Sequence, residues 1–267
     1  MLPRRATRWL AFALIVALTH VGCGGDTGVM SGSPDSGGVD GDAGTAPTHF
    51  SFFYTGLDAL RRLSGSPNGF GGDLRFGMPT GIEGADKICQ TIAEGEGFTD
   101  RTWRAFLSAL QGPDGQRVDA IGRIGEGPWY DRSGRLIAPN KAGLLVERPL
   151  GDPAAVNDLP DETGQGTMRL GTTYEAITGS TTQGTLYNLT DPRSTCMDWT
   201  DASLEAVAVI VGHAWPFGGG GSNNWIQAHP ERTCIAGVNL TSNGASDGSS
   251  IGAGGGWGGF YCFALTP

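Results

Sequence analysis

The chain has 267 residues, with 18 Lys+Arg against 27 Asp+Glu, a net charge of −9, 46 glycines and 15 prolines. An acidic chain disfavours nucleic acid and anionic membrane surfaces, since both need a basic face to neutralise their phosphates. So much glycine and proline excludes a helical bundle and points to a loop-rich body, and the length allows one large domain or two small ones.

The N-terminus carries Arg4, Arg5 and Arg8, an apolar run from Trp9 to Leu18, and then His20-Val21-Gly22-Cys23. A bilayer core needs roughly 20 apolar residues, about twice this run, so the segment reads as a secretory signal and not as a membrane span. Gly22-Cys23 fits the end of a lipoprotein signal, whereas His20 departs from the usual Leu-Ala-Gly-Cys pattern. The expectation is a signal peptide over 1–22 and lipidation of Cys23, with acyl chains that hold the protein on the bacterial outer membrane. Without the three signal arginines the chain carries 15 basic and 27 acidic side chains, a net charge of −12. Residues 24–48 hold Gly, Ser, Asp and Pro and no aromatic side chain. Such a segment buries too little surface to offset its ordering entropy, so 23–49 is expected to be a disordered tether.

Order is expected from Phe50, and the folded domain spans 50–267. The aromatic run Phe50–Tyr54 has strand character. A glycine-rich loop, 65–77, leads to a segment with apolar residues at 85, 88, 89, 92 and 93, which is helical spacing with Cys89 on the buried face. Trp103–Leu107 reads as an extended piece under that helix, and Trp129–Ile137 as a hairpin turning at Asp131–Gly134. Residues 138–170 are polar and read as loops. Ile177–Ser180 and Ala206–Val211 read as core strands, the second as a continuous apolar run buried on both faces. Glycine clusters at 218–221 and 252–259 flank Trp225 and Trp257, and Phe260–Leu265 forms a final strand. No internal repeat is present.

Five cysteines are spaced unevenly. Cys23 is the expected lipidation site, and Cys89, Cys196, Cys234 and Cys262 are expected to form two disulfides, for which three connectivities are open. No Cys-x-x-Cys pair supports a metal or redox thiol site.

Four pieces stand in order: "GADKICQ" around Cys89, "RAFLS" at 104–108, "CMDWTDAS" at 196–203 and "FYCF" at 260–263. Together with "ITGS" at 177–180, they resemble the C-type-lectin-like fold, and within it a family of endostatin-like bacterial surface lipoproteins known from spirochaetes. The resemblance covers about residues 50–267, although 140–169 matches no motif and 235–256 is longer and richer in Gly and Ser. It implies an α+β, loop-rich C-type-lectin-like (endostatin-like) domain with two disulfides, paired Cys89–Cys262 and Cys196–Cys234.

The sites are less defined. Calcium-dependent lectins use Glu/Gln-Pro-Asn/Asp and Trp-Asn-Asp tripeptides, and neither occurs here; Asn223-Asn224-Trp225 has the right residue types in the wrong order. No metal or other cofactor is therefore expected, calcium being unsupported by any motif. Trp215, Trp225, Trp257 and Tyr261 lie in or beside glycine-rich loops, where an aromatic ring can face a sugar or peptide; the alternative is that Trp199, Trp215 and Trp257 fill the core. Trp225, beside Asn224, and Trp257 are the weak ligand-binding candidates. His213 and His229 would form a metal or catalytic pair only by converging with Asp198, Asp201 or Glu205, and nothing in the spacing requires this. Endostatin's zinc site needs a His-rich N-terminus, and its heparin binding needs clustered arginines; Arg123, Arg132 and Arg135 are thin and interleaved with acids. No Gly-x-Ser-x-Gly elbow occurs, so no catalytic residue is assigned. Two Asn-Leu-Thr sequons, at Asn188 and Asn239, are incidental in a bacterial lipoprotein.

The expected function is a non-enzymatic envelope lipoprotein that binds an extracellular protein or glycan and touches the membrane only through its lipid. The alternatives are an enzyme like the formylglycine-generating oxidases, which share the fold but need an unpaired cysteine pair, and a purely structural envelope protein.

Overall fold

Aromatic and glycine content together decide where the chain goes, because the rings need burial and the glycines let backbone approach backbone closely. The structure, a computed structural model, describes residues 49–146, 158–215, 224–241 and 247–266. The signal, Cys23 and almost all of the tether lie outside the described residues. The described residues belong to one unit, Gly44–Pro267.

Strand β1 (Phe52–Tyr54) is buried along its length, and helix α1 (Leu57–Ser64) ends at Gly65, whose φ of 68° is the left-handed C-cap that glycine favours. Helix α2 (Gly81–Gly95) starts with a capping box: the Thr80 hydroxyl accepts from the Glu83 N–H, and the Glu83 carboxylate accepts from the Thr80 N–H. It buries Ile82, Ala85, Ile88, Cys89, Ile92 and Ala93, the face that the apolar spacing predicts. A Cβ at Gly84 would stand 2.1 Å from the carbonyl oxygens of Leu74 and Arg75, so glycine here lets the helix rest on the loop backbone. Strand β2 (Trp103–Ala105), the short helix α3 (Ala120–Arg123) and the hairpin β3 (Trp129–Tyr130) and β4 (Leu136–Ala138) follow. The hairpin turn closes with Gly134 N–H donating to Asp131 O at 2.9 Å. In the stretch expected to be loop, Asn140 caps a single helical turn, α4 (Lys141–Leu144), by accepting from Gly143 N–H.

The remaining strands are β5 (Glu175–Ile177), β6 (Glu205–His213), β7 (His229–Thr233), β8 (Gly256–Gly259) and β9 (Tyr261–Ala264). One sheet runs β1-β9-β2, all antiparallel, with the C-terminal strand in the middle. A second runs β7-β6-β5-β8, with only β5 and β8 parallel. The architecture is therefore α+β, with few helices. Strand β6 differs from the expectation of burial on both faces: Glu205–Ala208 are exposed or half-buried, and burial begins at Val209. The cause is pairing, since β5 meets β6 only at Val211–His213, while the register against β7 is irregular between Glu205 and Val209.

Two disulfides are formed, Cys89–Cys262 and Cys196–Cys234, with Cα separations of 5.6 and 5.7 Å, ordinary values for a disulfide. They are the pairs that the resemblance implies. The first fastens α2 to β9. The second lies at an unusual turn, for Cys196, Met197, Asp198 and Trp199 all have positive φ, from 50° to 65°. Left-handed backbone costs about 1–2 kcal/mol per non-glycine residue, so tertiary contacts must hold this turn. Asp198 accepts from Leu110 N–H at 2.6 Å and Gln111 N–H at 3.1 Å. The buried Trp199 donates its indole N–H to Ser108 O at 2.8 Å. Thus "CMDW" is a structural motif, and its aspartate is an anchor for the 108–111 loop.

Candidate functional site

Neither tryptophan considered for ligand contact is on the surface. Trp225 is completely buried, with its ring centroid 5.0 Å from Tyr261 and 5.3 Å from Phe106 and its N–H donated to Leu144 O at 2.8 Å. Trp257, on β8, is buried and donates to Thr55 O at 3.0 Å. The Asn224 carboxamide oxygen accepts from the Ile226 and Gln227 N–H groups, which makes it a turn-forming residue. These three are corrected from ligand contacts to parts of the core and its turns. The physical reason is that nearby glycines let packed neighbours come close: a Cβ at Gly259 would lie 2.7 Å from the Trp257 indole nitrogen, and one at Gly212 1.8 Å from the Trp225 carbonyl oxygen. Trp225→Ala is accordingly expected to destabilise the fold by about 3–5 kcal/mol, measured by denaturant unfolding; a loss under about 1 kcal/mol contradicts the core role.

Two places carry chemistry. In the first, Glu175 of β5 meets His229 and Glu231 of β7. Alternation along a strand puts residues i and i+2 on one face, so the sequence His229-Pro230-Glu231 projects both side chains the same way. Their ligand atoms and those of Glu175 all lie within 4.8 Å of one another. His229 Nε2 stands 3.2 Å from Glu175 Oε1, and its Nδ1 stands 3.6 Å from Glu231 Oε1. Burial pushes the Glu175 carboxyl up to about 8, opposed by its hydrogen bond with Glu231. His213 packs beside the group, its ring centroid 5.2 Å from that of His229. The two histidines do come together, and of the two His229 lies against Glu175 and Glu231. Of the acids considered from sequence, Asp198 anchors backbone, Asp201 accepts from Ser203, and Glu205 is exposed. The strand pattern before Cys234 could have revealed the His229–Glu231 half of the cluster; nothing local connects it to Glu175.

The second place is an open cleft of about 670 Å³ between the start of α2, β2, the 113–119 loop and α3. At its floor the Asp86 carboxylate accepts from Arg123 at 2.6 and 2.8 Å, from Arg104 at 3.0 Å and from the Ala105 N–H at 3.0 Å. Arg123 also donates to Ala105 O. Its walls bring together Glu83, Asp114 and Asp119 with Arg117, beside the apolar Ile82 and Val118. Arg104 and Arg117 are about half exposed, so the cleft presents both signs of charge around a small apolar patch. Of the thin arginine string read from sequence, Arg123 is tied down by Asp86, Arg135 by Asp131 and Arg132 lies near Glu96.

Among the described residues no helix is long and apolar enough to cross a membrane. No protein-family model matches the chain, and no curated protein matches it. What the chain does is therefore argued from its own geometry.

Proposed function

We propose that this chain is a non-catalytic protein-binding module of the bacterial envelope, anchored by lipid at Cys23. Its domain is read as C-type-lectin-like, of the endostatin-like branch. The observation that carries the binding role is the cleft beside α2. It is open, large enough for several side chains of a partner, and lined by carboxylates and guanidinium groups around a small apolar patch, a composition that suits a charged polypeptide segment. A sugar platform is not favoured, because the aromatic rings that would form it are in the core. The disulfides support a non-enzymatic reading against the oxidase-like alternative: all four cysteines of the domain are paired, and that chemistry needs a free cysteine pair.

The test is to probe protein and glycan arrays with the full chain and with Arg117→Glu, a half-exposed cleft residue. The expected result is a protein ligand at micromolar concentration, weakened by salt and by about tenfold or more in the variant. Binding to glycans only, binding to neither, or protein binding that Arg117→Glu leaves intact overturns the proposal.

A further inference from the structure

The acid–histidine cluster lies away from the cleft and has a chemistry of its own. Glu175 is 2 % exposed and Glu231 is 0 % exposed, so two carboxylates face each other out of water. Buried carboxyl groups take up a proton, pair with a cation or coordinate a metal. Neither Glu175 carboxylate oxygen accepts from a backbone amide, a hydroxyl, a lysine or an arginine among the described residues. Its side-chain contacts are to His229 and Glu231, the other members of the cluster.

Three geometric facts point to a cation. Zinc bonds to nitrogen and oxygen of about 2.0–2.2 Å at tetrahedral angles hold neighbouring ligand atoms about 3.3–3.6 Å apart. His229 Nε2 and Glu175 Oε1, 3.2 Å apart, stand close to that separation, and the ligand atoms of all three residues lie within 4.8 Å of one another. The backbone is also shaped around the carboxylates: a Cβ at Gly254 would fall 1.9 Å from Glu175 Oε1 and 2.8 Å from Glu231 Oε1, so only glycine fits there. Finally, the His229 side chain is 32 % exposed while both glutamates are buried, which leaves the imidazole side as the way in. One imidazole with two carboxylates is a ligand set for a first-row transition ion, whereas calcium prefers about six to eight oxygens.

We propose that Glu175, His229 and Glu231 bind one divalent transition-metal ion, of which Zn²⁺ is the best fit. Bound there, the ion ties β5 to β7 across β6 under the glycine-rich 252–256 segment. It is a third staple beside the two disulfides, and it is independent of whatever occupies the cleft.

The test is a calorimetric titration of chelator-stripped full chain with Zn²⁺ alone, paired with thermal melting. The expected result is one equivalent bound, a raised melting temperature, and at least about tenfold weaker binding in both Glu175→Gln and His229→Gln. Co²⁺ should give the visible absorption of a tetrahedral site in the parent and lose it in both variants. Glu175→Gln keeps the shape of the buried side chain; if it fails to fold, the partly exposed His229→Gln carries the test. The proposal is overturned by a chain that takes up no Zn²⁺, by variants that bind it as tightly as the parent, or by preferential binding of Ca²⁺.

Discussion

Replacing Cys89 and Cys262 together by alanine should cost about 5 kcal/mol, more than the loss of the Cys196–Cys234 bond. The bond spans a sequence separation of 173 residues. In the chain-entropy account, the cost of closing a loop grows with the logarithm of its length, which gives about 5 kcal/mol here against about 4 kcal/mol for Cys196–Cys234, with its separation of 38. Structure adds to the entropy argument. Cys262 sits on β9, the middle strand between β1 and β2, opposite Phe53 and Ala105, and Cys89 lies on the buried face of α2. Losing the bond therefore loosens a helix from the centre of a sheet, while losing Cys196–Cys234 frees a turn from its neighbouring loop. Guanidinium unfolding followed by tryptophan fluorescence reads the difference. If the Cys196/Cys234 double-alanine variant proves the less stable of the two, the ordering fails.

Stability should also fall as pH rises from about 4.5 to about 7, and Glu162→Gln should remove much of that slope. Burial pushes the Glu162 carboxyl up to about 7, helped by the nearby Asp161 and Glu96 and opposed by backbone hydrogen bonds, including that from Gly56 N–H at 2.7 Å. A raised carboxyl binds a proton in the folded chain that the unfolded chain has already released. Between the two values the folded state holds the extra proton, so each pH unit upward costs about 1.4 kcal/mol, reaching about 3 kcal/mol above pH 7. The effect is absent below the unfolded value near 4.5 and constant above about 7. Glutamine keeps an acceptor for the Gly56 amide at the start of α1 but has no proton to lose. Denaturant melts of parent and variant with chelator present should coincide near pH 4 and separate by up to about 3 kcal/mol at pH 8, the variant being more stable. Parallel curves across that range would remove Glu162 from the account. In the metal-free protein Glu175 acts in the same direction up to about pH 8, and the comparison of variant with parent cancels its share.

Much of the fold could be read in advance because its signals are local. The apolar spacing of 85–93 depends only on residues one turn apart, so α2 and its buried Cys89 follow from periodicity. The Asp131–Gly134 turn follows from glycine chemistry, and the last strand from its aromatic run. The single turn at 141–144 escaped because one cap and four residues leave almost no periodic trace. Strand β6 was misjudged over its first half for another reason: Ala206 and Val207 are apolar, but pairing with β5 stops at Val211, and composition does not record where a neighbouring strand ends.

The candidate sites divide along the same line. Residue types alone settle that the chain is acidic and that four cysteines of the domain can staple it. Whether a tryptophan beside glycines is displayed or enclosed depends on how closely other backbone segments approach it, and only the packed molecule decides that; Trp225 and Trp257 are enclosed. The joining of Glu175 to His229 and Glu231 is likewise a tertiary fact. More than fifty residues separate β5 from β7 in the chain, and no local pattern spans such a gap. Sheet order alone, with β6 laid between them, brings one imidazole and two buried carboxylates within a metal ion's reach.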